Sequence, residues 1–219
     1  SGQMPRIVGL AYASKLYRNN KNLSDMENFS INGNEVVFGT IGDASTSEGH
    51  FWEAINACGV LQVPLIMSIW DDGYGISVPS EYHTTRNDLS KALSGFQRSS
   101  KKENGYEIFT VHAWDYINLL KTYQKAEKLA REDHVPCIIH VKDVTQPQGH
   151  TTSGSHERYK SKERLNWEKD FCCIKRMREW IIENNFASNS EIDIIEKNAE
   201  EIAKKSRDRS WKSYRDDIK

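Results

Sequence analysis

Four short runs of apolar and β-branched residues stand out against polar surroundings: residues 35–41 (EVVFGTI), 63–70 (VPLIMSIW), 106–112 (YEIFTVH) and 135–141 (VPCIIHV). Their length and composition predict strands, and apolar residues at successive positions predict burial on both faces. Between them, residues 51–58, 89–96 and 116–131 read as helices, and an earlier helix over 7–17 has Pro5 as its opener. Strands alternating with helices predict βαβ units, hence an α/β fold built on a parallel sheet flanked by helices. Ligands of such sheets bind beyond the carboxyl ends of the strands.

Past residue 155 the pattern changes. Phe171, Ile174, Met177 and Ile181, then Ile192, Ile195, Ala199 and Ile202, keep helical spacing, and Ser188-x-x-Glu191 forms a capping box before the second set. Residues 156–219 also carry 16 of the 30 Lys and Arg and 14 of the 31 Asp and Glu. The 219 residues therefore divide into an α/β domain over 1–155 and a C-terminal helical extension over 156–219. The polar segment 19–34 reads as an exposed loop.

Composition narrows the partners. A hydrophobic share of 37% is enough for a core, and a formal net charge of −1 argues against nucleic acid. The longest apolar run, residues 60–70, is interrupted by Gln62, Pro64 and Ser68 and is too short to span a membrane. The first residues lack a secretory signal pattern, and the four cysteines have no zinc-type or Cys-x-x-Cys spacing. The expectation is a reduced, cytoplasmic protein with neither a nucleic-acid nor a membrane partner.

The candidate chemistry lies where the strands end. The first strand runs into Gly42-Asp43-Ala44-Ser45, and Ser45-x-x-Glu48 reads as a capping box opening a helix whose free N–H groups favour an anion such as phosphate. The second ends in Trp70-Asp71-Asp72-Gly73-Tyr74. If the two strands are neighbours, Asp43 and one carboxylate of the pair can reach the same divalent cation, and Mg²⁺ prefers such oxygen ligands together with phosphate. The fourth strand leads into the polar loop 146–156, where His150 can serve as acid, base or phosphate partner. Ordinary turn chemistry explains each of these features taken singly.

Together they are more specific. GDASTSEGHFWEAINACGVLQVPLIMSIWDDGYGIS (42–77) resembles the thiamine-diphosphate motif of the 2-oxo acid dehydrogenase first component (E1), α-type part. QMPRIVGLAYASKLYR (3–18) is similar to the family helix before that strand, and GHTTSGSHERYKSKERLNWE (149–168) to its Gly-His loop and helical tail. The continuation Ile76-Ser77-Val78-Pro79 is closer to branched-chain (2-oxoisovalerate) than to pyruvate dehydrogenases, and to bacterial chains that fuse α-type and β-type parts.

The resemblance implies a thiamine-diphosphate-binding fold, diphosphate-binding domain, with thiamine diphosphate and Mg²⁺ as cofactors. It implies Mg²⁺ ligation by Asp43, Asp72 and the Tyr74 carbonyl. Cofactor contacts would come from Gly42, Asp43, Ala44, Ser45, Asp72, Tyr74, Ile76 and His150, with His150 also catalytic. It further implies a small 2-oxo acid substrate, a homo-oligomer, a lipoyl-bearing acyltransferase partner, and a β-type, aminopyrimidine-binding half in cis or in trans. Without that half, and without the family segment before Gln3, this chain is expected to be inactive alone. Three departures stand against the pattern: Ala44 for its second Gly, Asp71-Asp72 for Asn-Asn, and Trp70 where many branched-chain members have arginine. Pyruvate as substrate, an inert assembly domain of the same fold, and a phosphate hydrolase using Asp43, Asp71 and Asp72 are the alternatives. Cys137 and His140 are expected to be core residues, while His83, His112 and His134 have no assigned role.

Overall fold

The computed structural model describes residues 2–23, 25–150 and 155–218. In chain order the elements are α1 (Met4–Asn19), β1 (Val37–Gly42), α2 (Gly49–Leu61), β2 (Leu65–Trp70), β3 (Tyr74–Gly75), β4 (Val78–Pro79), α3 (Leu89–Ala92), β5 (Glu107–His112), α4 (Tyr116–Asp133), β6 (Cys137–Lys142), α5 (Lys162–Asp170), α6 (Cys173–Glu183) and α7 (Asn189–Asp216). The chain separates into two compact units, Ser1–Cys173 and Ile174–Lys219.

In the first unit four strands form one parallel sheet in the order β1-β2-β6-β5, while β3 and β4 make a short antiparallel hairpin. The period-two alternation of a strand sorts β2 onto two cores. Leu65, Met67 and Ile69 face α1 and α2, where Met4, Ala11, Phe51, Ile55 and Cys58 are buried. Ile66 faces the other side with Ile139, Val141 and the α4 residues Ala126 and Ala130. Ser68 is the polar exception on that face, and its Oγ meets the Tyr123 hydroxyl at 2.7 Å.

The α/β parallel sheet flanked by helices is therefore present, with three local corrections. Ser45 and Glu48 form no capping box: residues Ala44–Ser47 make a 3-10 turn, α2 starts at Gly49, and Glu48 has an extended backbone and no capping bond. Thr46 draws that turn shut by donating both its N–H (3.0 Å) and its hydroxyl (2.6 Å) to the Asp43 carbonyl. The helix expected over 89–96 is one turn, α3, followed by a 3-10 turn at Ser94–Phe96. The rise in charge at residue 156 does not mark the division between units, because residues 156–173 group with the first.

In the second unit α7 carries the Ser188–Glu191 capping box, and Arg178 of α6 binds Asp193 (2.6 Å) and Glu196 (2.8 Å) of α7. Among the described residues no helix is long and apolar enough to cross a membrane.

Ile69 is fully buried one residue before the end of β2. Ile69→Ala is expected to destabilise the first unit by about 2–5 kcal/mol, whereas Lys121→Ala on exposed α4 surface should change it by less than about 0.5 kcal/mol; urea unfolding followed by circular dichroism reads both.

Candidate functional site

The pairing of β1 with β2 sets Gly42 opposite Trp70, so the residues that follow emerge side by side at the carboxyl edge of the sheet. Asp43 continues the ladder by donating its N–H to the Trp70 carbonyl (3.1 Å), and Asp71 donates in turn to Val141 of β6 (2.9 Å). Both sequence-predicted strand ends thus meet.

The three carboxylates there have different surroundings. Asp71 is turned into the sheet, where its Oδ2 lies 2.7 Å from Nε2 of the fully buried His140, whose Nδ1 is 2.6 Å from the Ser90 hydroxyl. Burial pushes the Asp71 carboxyl up, but the His140 hydrogen bond and charge, the Gly73 N–H and Lys142 outweigh it and hold the group below the ordinary value. Asp72 faces the cleft, its Oδ1 accepting from the Tyr74 N–H at 3.1 Å. Burial and the neighbouring Asp71 raise its carboxyl, opposed by Tyr74 N–H, Lys160 and Arg164.

Asp43 is 4% exposed and its Oδ2 has no hydrogen-bond partner. Burial, and then the charges of Asp71 and Asp72, push its carboxyl up to about 7. Nε2 of His83 lies 3.9 Å from that oxygen, beyond hydrogen-bond reach, and is itself buried without a partner.

Backbone geometry closes the turn over Asp43. Gly73 has φ +79°, a conformation that glycine adopts without steric cost, and Asp71 Oδ1 accepts its N–H at 2.9 Å. A Cβ on Gly75 would lie 2.8 Å from the Ala44 Cβ, so only glycine lets the β3–β4 hairpin pack on the Asp43 turn. Ile76 is left-handed at φ +60°, which is strained for a β-branched side chain.

The result is a cleft of about 670 Å³ lined by Gly42, Asp43, Ala44, Ser45, Asp72, Tyr74, Ile76 and His150, with Trp70, Val144 and Gln146 among its other walls. Every sequence-predicted site residue lies on it. His150 is exposed. The remainder of the predicted Gly-His loop, Thr151 to Gly154, lies outside the described residues. Asp71 is withdrawn by His140, and among the described residues no three or more His, Cys, Asp or Glu side chains are placed to hold a metal. The three-carboxylate hydrolase centre is therefore not formed.

A single Mg²⁺ held by one or two carboxylates, a carbonyl and external oxygens needs no such trio. An orphaned buried carboxylate oxygen beside a second carboxylate fits a hard cation by the chemistry of its donors.

Sequence reasoning missed His83 and three residues of the charge-dense segment, Lys160, Arg164 and Glu168. The last three repeat at every fourth position, one helical face, which reads as an ordinary solvated stripe.

Comparison with known proteins gives the following. Residues 1–215 match the family described as dehydrogenase E1 component. Among curated relatives, the pyruvate dehydrogenase E1 component subunit alpha of Rickettsia bellii is 27% identical over 205 residues, covering 93% of this chain and 55% of the relative. The mitochondrial 2-oxoisovalerate dehydrogenase subunit alpha of Mus musculus is 25% identical over 182 residues, covering 82% and 36%. The chain thus spans about half the length, or less, of these relatives. A crystal structure of transketolase from Campylobacter jejuni aligns with 63% of this chain and 19% of its own at 19% identity and a TM-score of 0.46.

The raised Asp43 carboxyl has a measurable consequence in metal-free solution. The unfolded group titrates near 3.8 and the folded group near 7, so the stability linked to its proton is complete below pH 3.8 and is lost as pH rises to 7. Asp43→Asn cannot ionise and is expected to be more stable than the parent by about 4 kcal/mol at about pH 8, and by well under about 1 kcal/mol at about pH 4. Urea melts with chelator at both pH values check this; equal stability at the higher pH would contradict it.

Proposed function

The chain belongs to the dehydrogenase E1 component family, and from that premise we propose that it is the diphosphate- and Mg²⁺-binding half of a thiamine-diphosphate-dependent 2-oxo acid dehydrogenase. One observation carries the reading: Asp43, Asp72 and Tyr74 share one cleft, and the buried Asp43 Oδ2 has no partner.

On this reading the Asp43 and Asp72 carboxylates and the Tyr74 carbonyl would hold Mg²⁺, and the backbone at Ala44 and Ser45 would bind the diphosphate. When bound, the cofactor supplies the nucleophilic carbon and the electron sink that decarboxylation of a 2-oxo acid requires. The chain's own residues bind and orient. The turn at Gly73 and the Ala44–Gly75 contact keep the two carboxylate-bearing segments together. Ile76 presents an apolar side chain to the cleft from a strained backbone. His150, exposed on the loop beyond β6 and lining the same cleft, would give or hold a proton at the oxygen of a bound substrate.

On this reading a β-type half contributes the glutamate that activates the cofactor, and a lipoyl-bearing acyltransferase receives the acyl product. The chain alone is then inactive. The Ile76-Ser77-Val78-Pro79 pattern favours a branched-chain 2-oxo acid, while the pyruvate dehydrogenase name of one relative favours pyruvate as the second reading.

Thermal melting with Mg²⁺ alone, thiamine diphosphate alone and both together tests the site. A ligand at about 100 times its Kd stabilises by about 2.7 kcal/mol, so the expected result is a rise of several degrees with both, abolished in Asp43→Ala. A rise with thiamine diphosphate that is unaffected by chelator or by Asp43→Ala would overturn the bridged site. With the β-type half added, CO₂ release from 2-oxoisovalerate against pyruvate decides the substrate.

A further inference from the structure

Helix α5 and the residue pair before it place Lys160, Arg164 and Glu168 against the cleft wall. Lys160 is 5% exposed and Glu168 1%; Glu168 Oε1 accepts from Lys160 Nζ at 2.7 Å and from Arg164 Nε at 2.9 Å. A buried ion pair loses in desolvation much of what Coulomb attraction returns, so it is weak evidence for a purely stabilising role. This one is also not neutral: two cations share one carboxylate and leave a net charge of +1.

That surplus is directed at a single turn. Arg164 Nη2 donates to the carbonyl oxygen of Asp72 at 2.7 Å. Lys160 Nζ and the Arg164 guanidinium lie 5.1 Å and 5.5 Å from the centre of the Tyr74 ring. The two residues that would supply metal ligands from this turn are therefore gripped from the same helix, one through its backbone and one through its ring. The Asp72 carboxylate plus the group of three sum to zero, so the cations offset the charge that Asp72 itself brings to the cleft.

We propose that Lys160, Arg164 and Glu168 act as a positioning clamp that neutralises the Asp72 carboxylate and holds the Asp72–Tyr74 turn in its ligand-presenting conformation, so that affinity for metal and diphosphate is set from α5. The inference rests on the reading that Asp72 and Tyr74 face the metal. Glu168 orients both cations, and Glu168 Oε2, buried without a partner, leaves Oε1 as the point at which both are joined. Arg164 is the more accessible member, with a side chain 26% exposed, and it is the member whose loss the fold should tolerate best.

The experiment is a double-mutant cycle on binding. Mn²⁺ is titrated by electron paramagnetic resonance, and thiamine diphosphate in the presence of Mn²⁺ by calorimetry, in the parent, Arg164→Gln, Asp72→Asn and the double variant. Asparagine keeps an oxygen ligand but removes the charge that the clamp offsets. Arg164→Gln is expected to weaken Mn²⁺-dependent thiamine diphosphate binding about tenfold in the parent background and only about threefold in Asp72→Asn. Arg164→Lys should recover part of the loss, since it restores the charge without the planar fork. Ligand-free melting temperatures identify any variant that is merely unfolded, and Lys160→Met then serves as the second probe of the same coupling. Equal losses in both backgrounds overturn the clamp, because a structural role alone would not distinguish them. Unchanged affinity in Arg164→Gln, with tight binding by the parent, overturns the clamp and leaves the proposed function standing. Failure of the parent to bind Mn²⁺ and thiamine diphosphate together overturns both.

Discussion

Three carboxylates stand at the ends of two neighbouring parallel strands, and the cost of burying their charge, with mutual repulsion added to it, is the constraint that organises the site. Asp43 follows β1, Asp71 and Asp72 follow β2, and the register of Gly42 on Trp70 brings both strand ends to the same edge of the sheet. Each carboxylate meets this in its own way. Asp71 is absorbed into the sheet by His140, Asp72 is faced by the cations of α5, and Asp43 has neither.

Strand order makes the first of these possible. β6 lies between β2 and β5, so His140, opposite Ile69 in the ladder, reaches the residue just past the end of β2. The Ser90 hydroxyl, from the single turn of α3, fixes the other ring nitrogen and in turn meets Thr110 of β5 at 2.9 Å. A chain of polar contacts thus crosses three neighbouring strands beneath the cleft. It removes Asp71 from the set of free ligands and leaves Asp43 and Asp72 as the strand-end carboxylates that line the opening.

The four sheet strands were legible because each is a compact apolar run, and burial on both faces follows from the helices that the intervening periodicity predicts. Asp43 and Asp72 were legible because a strand end followed by a carboxylate and a glycine turn is a local pattern. What failed depended on distant partners. Ser45 and Glu48 have the spacing of a capping box, but Thr46 closes a 3-10 turn on Asp43 and the Ser47 hydroxyl bonds the carbonyl of His83, 36 positions away, so the helix starts later. His140 was legible as a satisfied core histidine, yet its partner follows from a sheet order that is not the chain order. Lys160, Arg164 and Glu168 sit in a segment where charge is common, and nothing local separates a buried stripe from a solvated one.

The site is not arranged for stability. Asp43 is held ionisable in a place that disfavours its charge, and Ile76, the first residue of the two-residue turn between β3 and β4, is held in a backbone conformation that costs on the order of 1–3 kcal/mol. Both strains are maintained by the rest of the fold: the ladder fixes Asp43, and Gly73, Gly75 and the grip of Arg164 fix the hairpin. A cation entering the cleft would reverse the sign of the largest of these terms, since the same burial that penalises an isolated carboxylate strengthens its attraction to a metal. If the proposed cation binds, relaxing the site in the free chain would weaken it for that ligand, and the burial of Asp43 is then preorganisation for a charge the protein itself does not supply.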